Sequence, residues 1–319
     1  MKETKTRVLF MGTPDFAEAS LRALFETGKY EISAVTQPDR PRGRGYGIAE
    51  SDVKKYAMSV GLPVYQPEKL RDGAFAATLS EIDPEIIVVA AYGKILPDYI
   101  LEYPPHGCVN VHGSLLPEYR GAAPIQRAVI DGKKTTGITL MKMDAGLDTG
   151  DILFTREVPI LESDDTGSLF DKMAEAGAEL VTLCLPLILK GEVNPVKQDG
   201  SLATYAPKID RSECLIDFTK TADEVRNLIR GLSPAPLAFF RREDGTQIKI
   251  NEASLSDCVR DLPPGTLLPA GDGLDVVCGD GRAVRVLSVT PAGKRRMTAA
   301  EYLRGHRIPE RGETVLING

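Results

Sequence analysis

The sequence predicts an α/β protein: a Rossmann-like, mostly parallel sheet in the N-terminal part, followed by a smaller β-barrel (OB-like) C-terminal domain. Four apolar runs rich in β-branched residues alternate with helical patterns, which is typical of strands buried on both faces of a parallel sheet. These runs are Arg7–Met11, Ile32–Thr36, Ile86–Ala91 and Val109–His112. The last third of the chain instead has short strand patterns separated by Gly, Pro and Asp turns, which indicates a small barrel.

Start and stop signals define the helices between these strands. The first helix has Thr13 as its expected N-cap, Pro14 at its first helical position and Gly28 at its end. Three further helices are expected over residues 51–61, over 168–189, where Pro186 should introduce a kink and Gly191 should end the helix, and over 221–232. The barrel strands are expected at Gln247–Ile250, Asp275–Cys278 and Ala283–Val289.

A chain of 319 residues is long for one average domain and short for three, so two domains are expected. The patterns place an N-terminal domain at residues 1–190, a linker at 191–208 and the barrel-like domain at 209–319.

Composition narrows the class of protein. Hydrophobic residues make up 42% and charged residues 26% of the chain, as in globular proteins, and no apolar run approaches the roughly 20 residues of a membrane span. The first residues lack a secretory signal, so a cytoplasmic location without a membrane role is expected. The five cysteines include no CxxC pair and the three histidines no HExxH motif, so no metal site is predicted.

The net charge of −6 is unevenly distributed. Residues 1–210 have 23 Lys and Arg against 30 Asp and Glu, whereas residues 211–319 have 16 against 15. Basic residues concentrate at Arg282, Arg285, Lys294, Arg295, Arg296, Arg304 and Arg307. This cluster is either a solvated basic face or a local RNA-binding patch, since a patch can bind phosphates despite an acidic total charge.

The segment CVNVHGSLLPEYRGAAPIQ, residues 108–126, contains the most informative polar residues. Asn110 and His112 are two residues apart on one strand, so both side chains project to the same face near the strand's carboxyl end. Alone, such a pair is more often a hydrogen-bonded buried pair than a site. The loop that follows, and Asp148 in the turn MDAGLDTGDIL, make a catalytic interpretation stronger.

These motifs resemble the tetrahydrofolate-dependent formyltransferase family. NVHGSLLPEYRGAAP and LDTGD are the most specific matches. The resemblance extends over the whole chain, through FMGTPDFA, TQPDRPRGRG, VVAAYGKILP and IDFTKTADEVRNLIRGLSPAPLAFF. It is strongest to the members that use 10-formyltetrahydrofolate to formylate the methionine on initiator tRNA, and it implies that activity and those two partners, with a monomeric enzyme.

The resemblance implies that Asn110, His112 and Asp148 are the catalytic residues. Asn110 would donate a hydrogen bond to the developing oxyanion, and His112 would move a proton. Asp148 would either favour the imidazolium or hold a water that relays the proton.

The resemblance also implies two groups of binding residues. The folate positions are Tyr92, Lys94, Ile95, Leu96, Ser114, Leu115, Leu116, Pro117 and Asp144. The tRNA positions are Arg42, Arg44, Lys208, Lys294, Arg295 and Arg296, of which Arg42 and Arg44 belong to the loop RPRGRGYG. That loop has Tyr46 and Gly47 where the family has a pair of lysines, so stacking on a base could supplement charge there.

Three other functions each share some of these sequence features. A sugar-amine N-formyltransferase shares the Asn-x-His, SLLP and LDxGD chemistry, but the GRG loop and the second domain favour tRNA. An RNA-binding regulator without catalysis is disfavoured because all three catalytic positions are occupied. A nicotinamide oxidoreductase is disfavoured because GRG and GTP lack the third glycine of a GxGxxG motif.

Overall fold

A computed structural model describes residues 5–42, 47–306, 308 and 312–315. The chain forms two compact units. The first unit comprises Met1–Pro124, Thr135–Pro159 and Phe170–Pro207, and the second comprises Ile125–Lys134, Ile160–Leu169 and Lys208–Gly319. Two short stretches from the middle of the chain therefore belong to the unit that is otherwise built from the C-terminal third.

The first unit contains a seven-stranded sheet and a separate two-stranded ribbon. The strands in chain order are β1 (Thr6–Gly12), β2 (Tyr30–Val35), β3 (Arg40–Arg42), β4 (Gly47–Ala49), β5 (Val64–Tyr65), β6 (Ile86–Ala90), β7 (Cys108–His112), β8 (Thr135–Lys142) and β9 (Ile152–Pro159). The sheet order is β5-β2-β1-β6-β7-β8-β9, and β3 pairs with β4.

The sheet is mostly parallel, which confirms the predicted fold class. Strands β5, β2, β1, β6 and β7 are parallel to one another, whereas β8 is antiparallel to both β7 and β9. The strand order reverses at β1, and open α/β sheets bind ligands at such a point, beyond the carboxyl ends of the strands. All four predicted strands are present, and β1 and β6 are apolar because both of their faces are buried.

The residues described before the C-terminal third of the chain form six α-helices: α1 (Asp15–Glu26), α2 (Asp52–Ser59), α3 (Ala76–Ile82), α4 (Asp98–Leu101), α5 (Pro124–Ile130) and α6 (Thr166–Lys190). The predicted start of α1 was wrong by one residue. Pro14 is the N-cap, while the Thr13 hydroxyl donates to the Tyr92 carbonyl at 3.2 Å instead of capping the helix. Helix α2 was expected from residue 51; Ser51 is its N-cap, and its side chain accepts the Lys54 N–H.

Helix α6 continues through Pro186 to Lys190. Proline has no N–H, so the carbonyl of Thr182 loses its helical donor there. The Thr182 hydroxyl donates to the Ala178 carbonyl at 2.7 Å, one turn earlier.

The second unit contains α7 (Ala222–Gly231), α8 (Ala299–Gly305) and an antiparallel sheet. Its strands are β10 (Phe239–Arg241), β11 (Gln247–Val259), β12 (Thr266–Ala270), β13 (Gly273–Val277), β14 (Arg282–Pro291), β15 (Met297–Thr298) and β16 (Glu313–Thr314). They pair in the order β10-β11-β14-β13-β12-β16, with β15 added to β14. Strand β11 is longer than predicted, and its register against β14 shifts three times. Such bulges bend strands, and the sheet forms a curled half-barrel of the kind predicted.

The middle stretches of the second unit are held by arginines. Arg230 is buried and donates to the carbonyls of Leu161 and Asp164 at 2.9 and 3.1 Å. Arg127 forms a bidentate pair with Glu213.

Candidate active site

Strand β7 carries Asn110 and His112. It lies between β6, to which it is parallel, and β8, to which it is antiparallel, with Asn110 opposite Val89 and Met141. His112 is buried, with 5% of its surface exposed, and Asn110 is half-buried. Within the described part of the chain, the Asn110 side-chain amide has no hydrogen-bond partner, so its N–H groups are available to a ligand.

His112 contacts two different acceptors. Its Nε2 atom lies 3.1 Å from the Tyr119 carbonyl oxygen, and its Nδ1 atom lies 3.7 Å from Asp148 Oδ2. A carbonyl oxygen can only accept, so Nε2 carries the hydrogen of the neutral ring. Nδ1 is then the basic nitrogen, and it faces a carboxylate.

Asp148 reaches His112 because the turn after β8 folds back. Strand β8 is antiparallel to β7, so it ends beside the start of β7, where the Met143 N–H donates to the Cys108 carbonyl at 2.8 Å. Asp148 has a left-handed φ of 52°, which costs a non-glycine residue on the order of 1 kcal/mol or more. Its Oδ2 atom accepts the Gly121 N–H at 2.8 Å.

Gly150 allows this turn to close on β8. A Cβ atom added there would lie 1.7 Å from the Lys142 carbonyl oxygen. At the start of the turn, Asp144 is exposed and its carboxylate accepts from the Gly146 N–H and the Thr149 hydroxyl at 3.0 and 2.7 Å. The Asp144 side chain thus stabilises the turn locally.

Residues 196–206, which we call the strap, run along two segments that contact His112. These segments are the loop that contains Tyr119 and the turn that contains Asp148. Thr204 accepts the Tyr119 N–H through its hydroxyl at 2.8 Å and the Arg120 N–H through its carbonyl at 2.9 Å. Gln198 donates to the carbonyls of Asp148 and Gly150. Sequence reasoning assigned this segment to a linker and missed Gln198, because a lone glutamine in an irregular tract has no pattern that indicates a site.

Strand β6 leads into the first group of predicted folate residues. Tyr92 and Leu96 are buried, Lys94 donates to the carbonyls of Pro67 and Glu68 at 2.9 Å each, and Ile95 is 80% exposed. Burial raises the pKa of Tyr92 to about 12, and its hydroxyl has no partner among the described residues. The described Lys94 contacts are structural.

The second group of predicted folate residues follows β7. Ser114 is fully buried, and its hydroxyl donates to the Glu118 carbonyl at 2.6 Å. Thr139 donates to the Ser114 carbonyl and accepts the Leu116 N–H. Leu116 is also buried, while Leu115 and Pro117 are half-buried. These side chains shape the loop, so ligand recognition by this group would involve mainly its backbone.

A cavity of about 420 Å³ lies at the carboxyl ends of β1, β2 and β6. Its lining includes Thr13, Gln37, Ser51, Ala91 and Tyr92. Gln37 donates to the Tyr92 carbonyl at 3.0 Å, while its own side-chain oxygen is buried and has no partner in the described part of the chain. This is the position at which a doubly wound sheet binds ligands.

The predicted tRNA residues are only partly described. Arg44 lies outside the described residues, as does the side chain of Arg42. Lys208 and Lys294 are exposed. Arg295 lies 3.8 Å from Glu301, and Arg296 lies 3.3 Å from Glu252, so carboxylates partly neutralise this surface.

The described residues contain neither a metal-binding group nor a membrane-spanning helix. No group of three or more His, Cys, Asp or Glu side chains there could hold a metal ion. No described helix combines the length and apolar character that a bilayer crossing requires.

Comparison with known families defines the class of this fold and site. The family described as formyl transferase matches residues 4–185, and the one described as formyl transferase, C-terminal domain, matches residues 208–307. The chain therefore belongs to the formyl transferase family, and it is a transferase, as the motifs predicted.

The relatives narrow the class further. The chain is 48% identical over 305 residues to the methionyl-tRNA formyltransferase of Caldanaerobacter subterraneus subsp. tengcongensis, covering 95% of this chain and 98% of the relative. It is 47% identical over 300 residues to that of Halalkalibacterium halodurans, covering 94% of each. A sugar 3N-formyl transferase solved in the presence of dTDP and 5-N-formyl-THF superposes with a TM-score of 0.68, over 92% of this chain and 100% of that one, at 18% identity. That similarity shows the fold alone.

Proposed function

We propose that this protein transfers the formyl group of 10-formyltetrahydrofolate to the amino group of methionyl-initiator tRNA. The names of the full-length relatives support this activity. The structural observation that supports the chemistry is the buried His112, whose Nδ1 faces Asp148. Two residues before His112 on the same strand lies Asn110, whose amide has no hydrogen-bond partner among the described residues. The product would be N-formylmethionyl-tRNA for translation initiation.

Asn110 has the role of an oxyanion donor in this proposal. When an amine attacks a formyl carbon, negative charge develops on the formyl oxygen. A half-buried amide without a protein partner can donate to that oxygen without first breaking another hydrogen bond. A donor of this kind contributes on the order of 3 kcal/mol to transition-state stabilisation.

His112 is the proton acceptor. The amine nitrogen becomes positive as it attacks and must lose a proton. Because the Tyr119 carbonyl fixes the other ring hydrogen on Nε2, the proton is taken at Nδ1 and can be passed from there to the leaving nitrogen.

Asp148 stabilises the protonated ring. The 3.7 Å separation from Nδ1 is too long for a direct hydrogen bond but short enough for electrostatic attraction. The Gly121 N–H fixes the carboxylate oxygen on that side. This geometry favours the first of the two roles that the sequence left open.

The residues assigned to the folate fit a flat, apolar and partly aromatic group. Ile95 is 80% and Leu147 is 57% exposed, one in each of the two turns assigned to the folate. Each is a large apolar side chain in contact with water, which a bound apolar ring would cover. When bound, 10-formyltetrahydrofolate supplies the activated formyl group, and backbone groups of residues 92–96, 114–117 and 144–148 would hold it.

The acceptor side of the proposal uses both parts of the chain. We assign catalysis to residues 1–190, a connecting role to 191–208 and RNA contacts to 209–319 together with Arg42 and Arg44. The enzyme would act as a cytoplasmic monomer. The sugar 3N-formyl transferase shares the fold at 18% identity, whereas the two methionyl-tRNA formyltransferases are 48% and 47% identical over almost the whole chain, so tRNA is the favoured acceptor.

Labelled formyl transfer tests this function. The enzyme is incubated with 10-formyltetrahydrofolate labelled in the formyl group and with charged initiator tRNA, uncharged tRNA or free methionine. Label should appear only on the charged tRNA. Equal labelling of free methionine, or no labelling of charged tRNA, would overturn the proposal.

A further inference from the structure

We infer that Gln198, in the strap, is a positioning residue that sets the distance between Asp148 and His112. This inference rests on the proposed function of the site. Gln198 has only 9% of its surface exposed, and both ends of its side-chain amide are engaged. Gln198 hydrogen-bonds to neither the Asp148 carboxylate nor the His112 ring. It therefore acts through the backbone of the turn that contains Asp148.

The chemistry of its partners fixes the orientation of the Gln198 amide. Its Oε1 atom accepts from Arg120 Nε and Nη2 at 3.1 and 2.7 Å, and guanidinium nitrogens can only donate. Its Nε2 atom donates to the carbonyls of Asp148 and Gly150 at 2.9 and 2.7 Å, and carbonyls can only accept. A flipped amide would lose all four bonds, so the side chain has one arrangement.

Arg120 connects Gln198 to the loop that contacts His112. It lies between Tyr119, whose carbonyl accepts from His112, and Gly121, whose N–H donates to Asp148. Arg120 is buried, with 6% of its surface exposed, and its guanidinium donates to the neutral amide of Gln198. Gln198 therefore joins the turn that positions Asp148 to the loop that positions His112.

The left-handed backbone of Asp148 gives this contact a specific purpose. A non-glycine residue persists in that conformation only where its surroundings hold it. Gln198 donates to the carbonyls of Asp148 and Gly150, so it holds the backbone at Asp148 and two residues beyond it. Misplacement of a reacting group by about 1 Å can cost on the order of 10²-fold in rate.

Gln198→Glu is the most informative substitution. It keeps the oxygen that contacts Arg120, and its charge compensates the buried guanidinium. It replaces the two N–H donors with an oxygen that faces the carbonyls of Asp148 and Gly150. The variant should therefore fold while the turn is released. Asp199→Asn is the matched control, because Asp199 is exposed and, among the described residues, its side chain bonds only with Ser201, at 2.9 and 2.6 Å.

The experiment is a double-mutant cycle measured as kcat and KM for formyl transfer. Gln198→Glu should lower kcat about tenfold to a hundredfold, with KM for the charged tRNA changed by less than about threefold. In an Asp148→Asn background the same substitution should change kcat by less than about twofold, because the carboxylate that it positions is already absent. Asp199→Asn should leave both constants unchanged.

Other outcomes distinguish a failure of the Gln198 role from a failure of the proposed catalytic site. Equal losses in both backgrounds, or no loss in either, would show that Gln198 does not act through Asp148 and would overturn the inference alone. If Asp148→Asn and His112→Ala themselves left kcat unchanged, the proposed site would fail and the inference with it. Thermal unfolding checks the fold. Should Gln198→Glu unfold, Gln198→Met, which keeps the length of the side chain but removes both N–H donors, provides a second test, with the same expected loss of kcat and the same dependence on Asp148.

Discussion

His112 Nδ1 lies 3.7 Å from Asp148 Oδ2, while the opposite nitrogen of the same ring lies 3.1 Å from the Tyr119 carbonyl. The ring is therefore held with its basic nitrogen towards a carboxylate. We expect His112→Ala to lower kcat on the order of 10²- to 10⁴-fold. Added imidazole should restore part of the rate in this variant, because the cavity left by the ring keeps Asp148 on one side.

The rescue depends on Asp148 in this account. In His112→Ala/Asp148→Asn, imidazole should restore much less activity, since the bound imidazolium would have no carboxylate beside it. Equal rescue in the two variants would contradict the assigned pairing.

Asn110 provides the second prediction. Asn110→Ala should lower kcat about 10²- to 10³-fold with little change in thermal stability, because the amide has no hydrogen-bond partner among the described residues and its main role is in the transition state. Asn194→Ala, an exposed asparagine, is the control and should retain the wild-type rate. Near-normal turnover by Asn110→Ala would exclude the oxyanion role.

Gly150 tests the backbone of the turn. Gly150→Ala would place a methyl group 1.7 Å from the Lys142 carbonyl, so the turn must move and Asp148 with it. We expect destabilisation of about 1–3 kcal/mol and a large loss of kcat. Gly200→Ala is the matched control, because nothing lies within 4 Å of the added atom. Chemical denaturation and the transfer assay measure both effects, and equal behaviour of the two variants would show that the turn tolerates the displacement.

Glu162 links stability to pH in the second unit. Hydrogen bonds from Lys134 and Arg226 lower the pKa of Glu162 to about 2, from an ordinary value near 4.5. A lowered folded-state pKa contributes stability that is present above about pH 4.5 and is lost as the pH falls towards 2. The contribution is at most about 1 kcal/mol, since the Glu162 side chain is 59% exposed.

Urea denaturation at several pH values tests this linkage. Glu162→Gln should be less stable than the wild type at pH 7, and the difference should shrink as the pH falls through that window. Glu192→Gln, which removes an exposed carboxylate, should show no such convergence. A difference independent of pH would mean that the ionised state of Glu162 is not what matters.

Arg44 tests the loop assigned to tRNA. Arg44→Ala should raise KM for charged tRNA about tenfold and make the salt dependence of tRNA affinity shallower by about one unit of slope, with KM for the folate unchanged. Arg71→Ala removes an exposed charge elsewhere and serves as the control. Unchanged tRNA kinetics in Arg44→Ala would remove the loop from the proposed interface.

The fold could be predicted from the sequence wherever a pattern has one physical cause. Strands β1 and β6 are continuous apolar runs because both faces of a central parallel strand are buried. The start of α1 was misplaced because Thr13 satisfies its hydroxyl on Tyr92, far away in sequence. Local capping rules do not anticipate such a partner.

Only part of the site could be predicted from the sequence. Asn110 and His112 could be paired from their spacing on one strand, and Asp148 from the family motif. The return of the turn after β8 depends on the antiparallel pairing of β8, and the contact of Gln198 depends on a segment 48 residues beyond Gly150. Long-range contacts of irregular segments leave no periodic signal in a single sequence.

A competition assay tests both the acceptor and the role of His112. Wild-type enzyme and His112→Ala receive limiting labelled 10-formyltetrahydrofolate, charged initiator tRNA and a nucleotide-linked amino sugar in one mixture. We expect the wild type to label the charged tRNA alone and His112→Ala to label neither acceptor appreciably. Labelling of the sugar in preference to the tRNA, or undiminished labelling by His112→Ala, would contradict this expectation.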